Sequence, residues 1–553
     1  MRRTVFLMLL SVWAFNLQAA TIRVTTTEDA RIQDGKCSLR EAVQAANQNK
    51  AVDSCRAGSR NYTDVIQLGA KEYLLSIDLL DITENVIVSG KGMSQTTVNG
   101  QNRTRLFFVR SGVDLQLQDL TLTQGRTTNF GGAITNAGGL VTLYHCLFKQ
   151  NLATGSSSAG GAIFNYSGTV NVHYSQFVEN TAERGYGGGA IFNYQGRLNI
   201  ENSQFLDNQA NTGFGGAGIY NSEGIANIMN SSFSGNQANF GGGLFNRDGV
   251  VNLANVTLSG NHATFGGALN TFKGATYLSH TTIVNNTANY GAGVDNDGQL
   301  FLAASIVLNN QSKVGAAGCN NGSNSQITTG GYNVFAIDNG CEKQATDLVL
   351  ADAATQLDLT LKQNDAANGM PLTHALLENS VLIDAIPAQD CRYLSQVHGY
   401  NPLFSHRDRV LVDQRNAVRD YQQACDIGAY EFAAVPPSKT TDAPNLPTTH
   451  YLTVKIQGEG HVSSYPAGLN CGANQTCQVE FYTGTDLTLT AEATENTKLV
   501  AWEGDCATKT NTRRRLTRAL IVPEPEPVDP PVNQTVRVNL NTHKQCTAVF
   551  AAN

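Results

Sequence analysis

Charge is scarce in this chain. Lys, Arg, Asp and Glu make up 15% of its 553 residues, and the net charge is −7. Globular domains usually carry about a quarter. The repeats described below contain no long basic run. That argues against nucleic acid as a partner, because phosphate binding needs clustered Lys and Arg. Beyond residue 20 no stretch is long and apolar enough for a membrane helix, so the mature chain is expected to have no transmembrane span. No cysteine pair stands at zinc-ligand spacing from another, and no metal or cofactor is expected.

The first twenty residues read as a secretory signal: Arg2 and Arg3, an apolar run from Val5 to Phe15, and the small-residue site Leu17-Gln-Ala-Ala20. The expected location is secreted, extracellular or at the bacterial cell surface, the cell outer membrane included. Eleven cysteines in an exported chain suggest disulfides. Paired by neighbourhood they are Cys37 with Cys55, Cys319 with Cys341, Cys391 with Cys425, Cys471 with Cys477, and Cys506 with Cys546. Cys146 is left over.

Between Gly131 and Asn310 one phrase occurs seven times. It opens as GGAITN (131–136), GGAIFN (160–165), GGAIFN (188–193), GAGIYN (216–221), GGGLFN (241–246), GGALNT (266–271) and GAGVDN (291–296). It closes on a large apolar residue with Asn three places later, from Phe148/Asn151 to Val307/Asn310. Successive openings stand 29, 28, 28, 25, 25 and 25 residues apart. A fixed period of this size marks a solenoid. Within each copy apolar residues alternate, as in Val170, Val172 and Tyr174, or Leu198 and Ile200, which is a strand pattern. Three short strands and three turns per period give one coil of a parallel β-helix. Inward columns are expected at Ile134, Ile163, Ile191, Ile219, Leu244, Leu269 and Val294, and along the row that starts at Phe148. A polar column, Asn202, Asn230 and Asn255 flanked by His145 and His280, is expected to be a ladder that satisfies turn backbone groups. The openings and F-x-x-N closings resemble the repeats of chlamydial polymorphic outer membrane proteins, which implies a right-handed parallel β-helix displayed outside the cell.

Residues 21–60 start with a strand, Thr21 to Thr27, followed by Cys37-Ser-Leu-Arg-Glu-Ala-Val-Gln-Ala-Ala-Asn47. Ser38 with Glu41 forms a capping box, and Leu39, Ala42, Val43 and Ala46 make one apolar helical stripe. Such a helix can cover the open end of a solenoid. This stretch resembles the CSLREA-type N-terminal region of bacterial secreted β-helix proteins, which implies a cap. Residues 61–130 add short strands (Asp64–Leu68, Asn85–Ser89, Leu106–Val109, Val113–Thr123), so the β-helix is assigned to 61–310.

Residues 311–432 lose the Gly-Gly opening, and Leu348 to Leu377 is more helical in composition. Thr373-His-Ala-Leu376, Ser380-Val-Leu-Ile-Asp384, Asp413-Gln-Arg415 and Cys425-Asp-Ile-Gly-Ala-Tyr-Glu431 resemble the "choice-of-anchor Q" region that follows CSLREA β-helices. Asn416 stands where that pattern usually has Gly. The resemblance implies terminal coils and a cap, with His374, Asp384, Asp413, Arg415, Asp426 and Glu431 as salt bridges and turn caps. Residues 433–449 form a Pro- and Thr-rich linker. In 450–553, Leu452–Ile456 and Gly458–Val462 read as a hairpin, with further strands at Asp486–Ala491, Leu499–Trp502 and Cys546–Phe550. This part resembles divergent internalin B-repeat-like domains, with Trp502 in the core. The insertion from Arg513 to Pro531 reads as a surface loop.

The fold expected is all-β: a right-handed, pectate-lyase-like parallel β-helix with an N-terminal helical cap and a small C-terminal β domain. The function expected is a non-catalytic adhesion or interaction scaffold, with an extracellular glycan or a host surface protein as partner. The alternative is a polysaccharide lyase or glycoside hydrolase. Hydrolysis needs paired carboxylates at a set separation, whereas Glu179, Glu183, Asp207, Glu223, Asp248, Asp295 and Asp297 scatter over different positions of the repeat, as does Arg184. Asp295 and Asp297 flank Asn296 in one opening and read as turn residues. No catalytic or metal-binding residue is assigned, and no binding residue is identified. An autotransporter passenger would need a C-terminal membrane β-barrel, for which the last hundred residues offer a different pattern.

Overall fold

The computed structural model describes residues 20–553 except 61–62, 78, 212, 324, 338, 365–370, 388–389, 392–411, 418, 420–423, 435–448, 466–469, 472, 483–484, 494–496, 508–534, 541 and 553. The leader, the linker and the Arg513–Pro531 insertion thus lie wholly or almost wholly outside the described residues.

The repeats wind into a parallel β-solenoid of about ten turns. Opening strands stack in strict register, Ile134 on Ile163, Ile191, Ile219, Leu244, Leu269 and Val294. All seven are buried. Phe148, Phe177, Phe205 and Phe233 form a second internal column, with ring centroids 4.6–4.8 Å apart and planes within 7°. Each buried ring contributes about 1.5–3 kcal/mol.

The glycine pair at each opening has two separate causes. Gly131 has φ +64°, a conformation that side chains disfavour. Gly132 has ordinary backbone angles, but a Cβ there would run into the carbonyl oxygen of Gly161 in the next coil.

Both Asn positions of the repeated phrase point inward and form ladders. In the openings, the Asn136 amide donates to Asn165 Oδ1 (2.8 Å), Asn165 to Asn193 (2.7 Å), Asn193 to Asn221 (2.7 Å) and Asn221 to Asn246 (3.0 Å). In the closings the chain of amides runs through Asn151, Asn180, Asn208, Asn236, Asn261, Asn286 and Asn310 at 2.8–3.0 Å. Each of these amides also takes a backbone N–H, Asn310 from Asn286 at 3.0 Å, so the turns of the buried backbone are satisfied.

The expected ladder at Asn202, Asn230 and Asn255 forms in part: Asn255 donates to Asn230 Oδ1 at 3.1 Å, and among the described residues no such rung joins Asn230 directly to Asn202. These residues occupy a left-handed corner, together with His145, Tyr174, His280 and Ala304, at φ +45° to +52°. Tyr174 therefore leaves the inward face of Val170 and Val172, because the chain bends there.

The change in period also has a structural cause. Coils of 25 residues pass directly from a four-residue side strand, such as Gln237–Phe240, to the next glycine. Longer coils have only Leu152–Ala153, Thr181–Ala182 or Gln209–Ala210 there and add a loop before the glycine. The added residues at 183–187 and 213–215 carry Tyr186 and Phe214.

At the start, Thr21–Arg23 pairs with the next coil, a shorter strand than expected. The helix Leu39–Gln48 has Ser38 as N-cap with both halves of the capping box formed. Its Leu39, Ala42, Val43 and Ala46 join the solenoid core and close that end. Arg40 is spent on a buried ion pair with Asp29 at 2.6 Å.

Beyond Asn310, the coils continue through Cys319–Asn321, Gln326–Thr329 and Val334–Ala336. The segment 348–377 is not helical among the described residues: it holds the strand Leu348–Leu350 and a single 3-10 turn, Ala353–Thr355. From there the chain doubles back over the outside of the solenoid. Val284, Ile306, Leu308 and Val334 face Leu357, Leu376, Leu382, Ile386 and Ile427 in a second apolar core.

The C-terminal part packs two four-stranded sheets around Leu452, Val454, Leu489, Trp502, Val538 and Phe550. The expected hairpin is corrected: Thr449–Gln457 pairs with Thr476–Tyr482 and Lys544–Ala552, while Gly460–Tyr465 pairs with Thr485–Ala493 in the other sheet. The tight turn at Gly458 changes sheets because period two places the apolar residues of both strands toward one core. Five disulfides join Cys37–Cys55, Cys319–Cys341, Cys391–Cys425, Cys471–Cys477 and Cys506–Cys546, and Cys146 is a buried free thiol.

Candidate functional site

The structure explains why the acids of the repeats scatter. Glu179, Asp207, Glu223 and Asp248 all sit at left-handed corners, φ +52° to +56°. Glu179 and Glu223 accept from the amides of Gln150 and Gln195 in the preceding coil, both at 2.8 Å. They are corner residues on the solvent side, and burial, with Glu179 beside it, raises the Asp207 carboxyl.

The acids and bases of 374–431 do gather, and they close on one another. Asp413 binds the Arg415 guanidinium at 2.7 Å, and Arg419 binds Glu431 at 2.7 Å, all four buried. Arg419, which the sequence motifs do not mark, also donates to the Gly428 carbonyl and to Asn255 Oδ1. Asp426 accepts from the Asp384 and Phe432 amides. Burial, with Glu431 beside it, raises its carboxyl to about 7. His374 lies apart, between the Asp358 carbonyl and Ser259 Oγ, both at 2.8 Å, and burial lowers its pKa.

This cluster fastens the returning segment to the corner column. Asn416 donates to Asn202 Oδ1 (2.8 Å) and accepts from Asn230 (2.9 Å), while Asn255 donates to the Val412 carbonyl (2.9 Å). Gln414 accepts from Thr257 and donates to the Ser231 carbonyl. Asn416 adopts φ +65°, so it keeps the turn a glycine would make and adds two cross-links.

A different face carries exposed chemistry. In each opening the residue after the inward Ile points outward by strand alternation. From Thr135 in the first opening this column runs through Phe164, Phe192, Tyr220, Phe245, Asn270 and Asp295, and on to Asn320 in the following coil, in register. Its rings stack at 4.5–5.5 Å and are mostly covered. Phe130 stacks on one end, and Phe240, Phe265 and Tyr290 continue the run along the side strand at 5.1–5.5 Å. From the coil of Phe130 to that of Tyr290 is roughly 29 Å, six strand spacings. Above the covered column stand Tyr166 (46% exposed), Tyr186 (47%) and Phe214 (59%). Rings this exposed, set on a continuous aromatic surface, mark an interaction face.

At the far end the column turns polar. Asp295 accepts from the amides of Asn270 (2.6 Å) and Asn320 (2.5 Å). Burial holds its carboxyl above the usual range despite those donors, and the charge of Asp297 adds to the effect. The expectation of a turn is corrected: Asp295 and Asp297 both lie in the strand Val294–Ala303, because the parallel register with Leu269–Ser279 continues through them. A separate open cavity of about 470 Å³, lined by Thr21, Arg23, Thr25, Ser54, Arg56 and Gln67, lies at the first coil. Among the described residues, no group of three or more His, Cys, Asp or Glu is placed to hold a metal ion, and no helix is long and apolar enough to cross a membrane.

No protein-family model matches the sequence, and no curated protein does. Solved structures do align. The PL6 family alginate lyase AlyGC aligns at 12% identity and a TM-score of 0.28, over 57% of this chain and 53% of that one. A mannuronic acid specific polysaccharide family 6 lyase from human gut microbiota aligns at 11% and 0.27, over 52% and 77%. The A-module of the Azotobacter vinelandii mannuronan C-5 epimerase AlgE6 aligns at 14% and 0.23, over 58% and 96%. This chain spans about half the length of the first of them. Likeness at this level carries no functional argument, so function has to be read from the residues.

Sequence reasoning missed the aromatic face. Its signal was present in the Phe, Phe, Tyr, Phe series at one position of the opening, and in the extra residues of the longer coils.

Proposed function

We propose that this chain is an exported, non-catalytic binding scaffold that holds an extended glycan along its aromatic face. The observation that carries the reading is the run of rings over several coils, with Tyr166, Tyr186 and Phe214 exposed and the Asn270–Asp295–Asn320 amides at its end. A pyranose presents an apolar C–H face to a ring and hydroxyls to amides and carboxylates. A polymer of such units suits a surface that repeats along one axis. The disulfides and the leader fit an extracellular setting. The same reading takes residues 21–60 as a CSLREA-type cap, 311–432 as a choice-of-anchor Q-type closing region, 433–449 as a linker and 450–553 as an internalin B-repeat-like domain, in a protein held at the cell surface.

A lyase or hydrolase is the second reading, and the raised carboxyl of Asp295 beside Asp297 is the observation in its favour. Against it, the Asp295 carboxylate is occupied by two amide donors.

The test is binding of neutral and acidic polysaccharides to the exported protein and to a variant with Tyr166→Ala, Tyr186→Ala and Phe214→Ala together. An aromatic contact contributes about 0.5–1.5 kcal/mol, so three should cost tenfold or more in affinity with an unchanged melting temperature. Undiminished polysaccharide binding by the variant would remove this face from the account.

A further inference from the structure

Ala20 is buried at the first coil: it is 4% exposed, and its carbonyl accepts from the Val65 amide at 2.9 Å. Its own N–H donates to the carboxylate of Asp64. Asp64 is 2% exposed and also takes the Ser59 amide, at 2.9 and 3.1 Å. Gly58 makes room for it, since a Cβ there would strike Asp64 Oδ2. Every one of these donors is neutral, and among the described residues Asp64 has no ion-pair partner within 4.0 Å. A carboxylate removed from water in this way calls for a cation. Burial pushes its carboxyl up to about 6, Glu84 adds to the rise, and Arg56 offsets a small part from a distance.

We propose that the chain is cut between Ala19 and Ala20, and that the new α-ammonium of Ala20 is the cation that locks into Asp64. The inference rests on the export leader and is independent of any glycan. A peptidase would hydrolyse the Ala19–Ala20 amide with one water. The acyl carbon of Ala19 takes the oxygen and leaves as a carboxylate, and the nitrogen of Ala20 takes the protons and becomes an ammonium. A cut one residue later, after Ala20, would put Gln18 rather than Leu17 three residues before the bond. It would also discard the buried Ala20 side chain, the acceptor of the Val65 amide and the donor to Asp64. The cut at Ala19 keeps all three and turns a neutral donor into a charged one, which roughly doubles such a bond's strength. Removal of the leader would then complete the first coil.

The test uses the full chain exported from a bacterial host. Intact-mass and N-terminal analysis should place Ala20 first. At pH 8 the native α-amine should acylate at least fourfold more slowly than the urea-unfolded amine, because one unit of elevation above the usual α-amino pKa of about 7.7–8.0 lowers the neutral fraction about four- to sixfold. A variant with one Gly inserted before Ala20 moves the amine away from Asp64 and should label at the unfolded rate, as should Asp64→Asn if it folds. A mature chain starting at Thr21 or elsewhere, an uncut chain, or a native Ala20 amine that labels as fast as the unfolded one would overturn the proposal.

Discussion

Replacing Asn208 by Ala tests the ladder that ties the coils together. Asn208 is fully buried. Its Oδ1 accepts both the backbone N–H (3.0 Å) and the side-chain amide (2.9 Å) of Asn180. Its Nδ2 donates to the Phe177 carbonyl and to Asn236 Oδ1, both at 2.9 Å. The Asn180 side chain keeps its bond to the Phe148 carbonyl, and Asn236 Oδ1 keeps the backbone N–H of residue 208. The variant therefore strips a partner mainly from the Asn180 N–H and the Phe177 carbonyl. A buried polar group left bare costs about 1–3 kcal/mol, so two give about 2–6 kcal/mol, a large part of a domain's usual stability. Solenoid coils contact mainly their neighbours, so the loss should be local. Urea unfolding followed by far-ultraviolet circular dichroism gives the magnitude. Amide exchange read by mass spectrometry gives the place, with faster exchange in peptides covering 176–182, 204–210 and 232–237. Gln311→Ala, exposed on a side strand, should stay within about 0.5 kcal/mol of the parent. A midpoint for Asn208→Ala equal to that control, with exchange unaltered, would refute the reasoning.

Asn416→Gly keeps the left-handed turn but removes both amide links to Asn202 and Asn230; exchange of 412–417 should quicken by tenfold or more while the repeats stay protected. Burial raises the Asp114 carboxyl from 3.8 to about 7, and one of its oxygens is buried without a hydrogen bond. The folded state thus binds that proton more tightly, and the stability it contributes is complete below pH 4 and lost as pH rises through 7. The Asp114 contribution should lower urea midpoints between pH 4 and 7, and Asp114→Asn should flatten that part of the slope. Cys146 is buried, and burial pushes its thiol up to about 12. Iodoacetamide at pH 8 should leave it intact in the native protein and modify it fully in denaturant.

The solenoid was legible because its cause is periodic. Alternation fixed the inward Ile and Phe columns, and the doubled glycine marked where one coil's backbone meets the next. The Ser38–Glu41 capping box was local and equally plain. Corners were harder to read. Asn202 and Asn230 look like the ladder residues Asn208 and Asn236 in sequence, and only the backbone bend separates a corner from an inward position. The partner of the corner column lies 186 to 214 residues away at Asn416, a distance over which no local pattern reports. Arg419 was missed for the same reason. The aromatic face was written in the openings, yet an outward Phe in a strand passes for core until its neighbours on the same face are laid side by side. At residues 452–462, period two fixed the strands but could not say that the turn between them changes sheets.

An aromatic face that binds a glycan without transforming it retains polymer and leaves its ends intact. The most direct measurement incubates the exported protein with a panel of neutral and uronate polysaccharides, with and without calcium, and reads bound polymer and new reducing or unsaturated ends in the same sample. Bound polymer and no new ends are expected. Accumulating ends would contradict the binding-only reading and would move attention to Asp295 and Asp297, and no retained polymer anywhere in the panel would contradict the glycan reading itself.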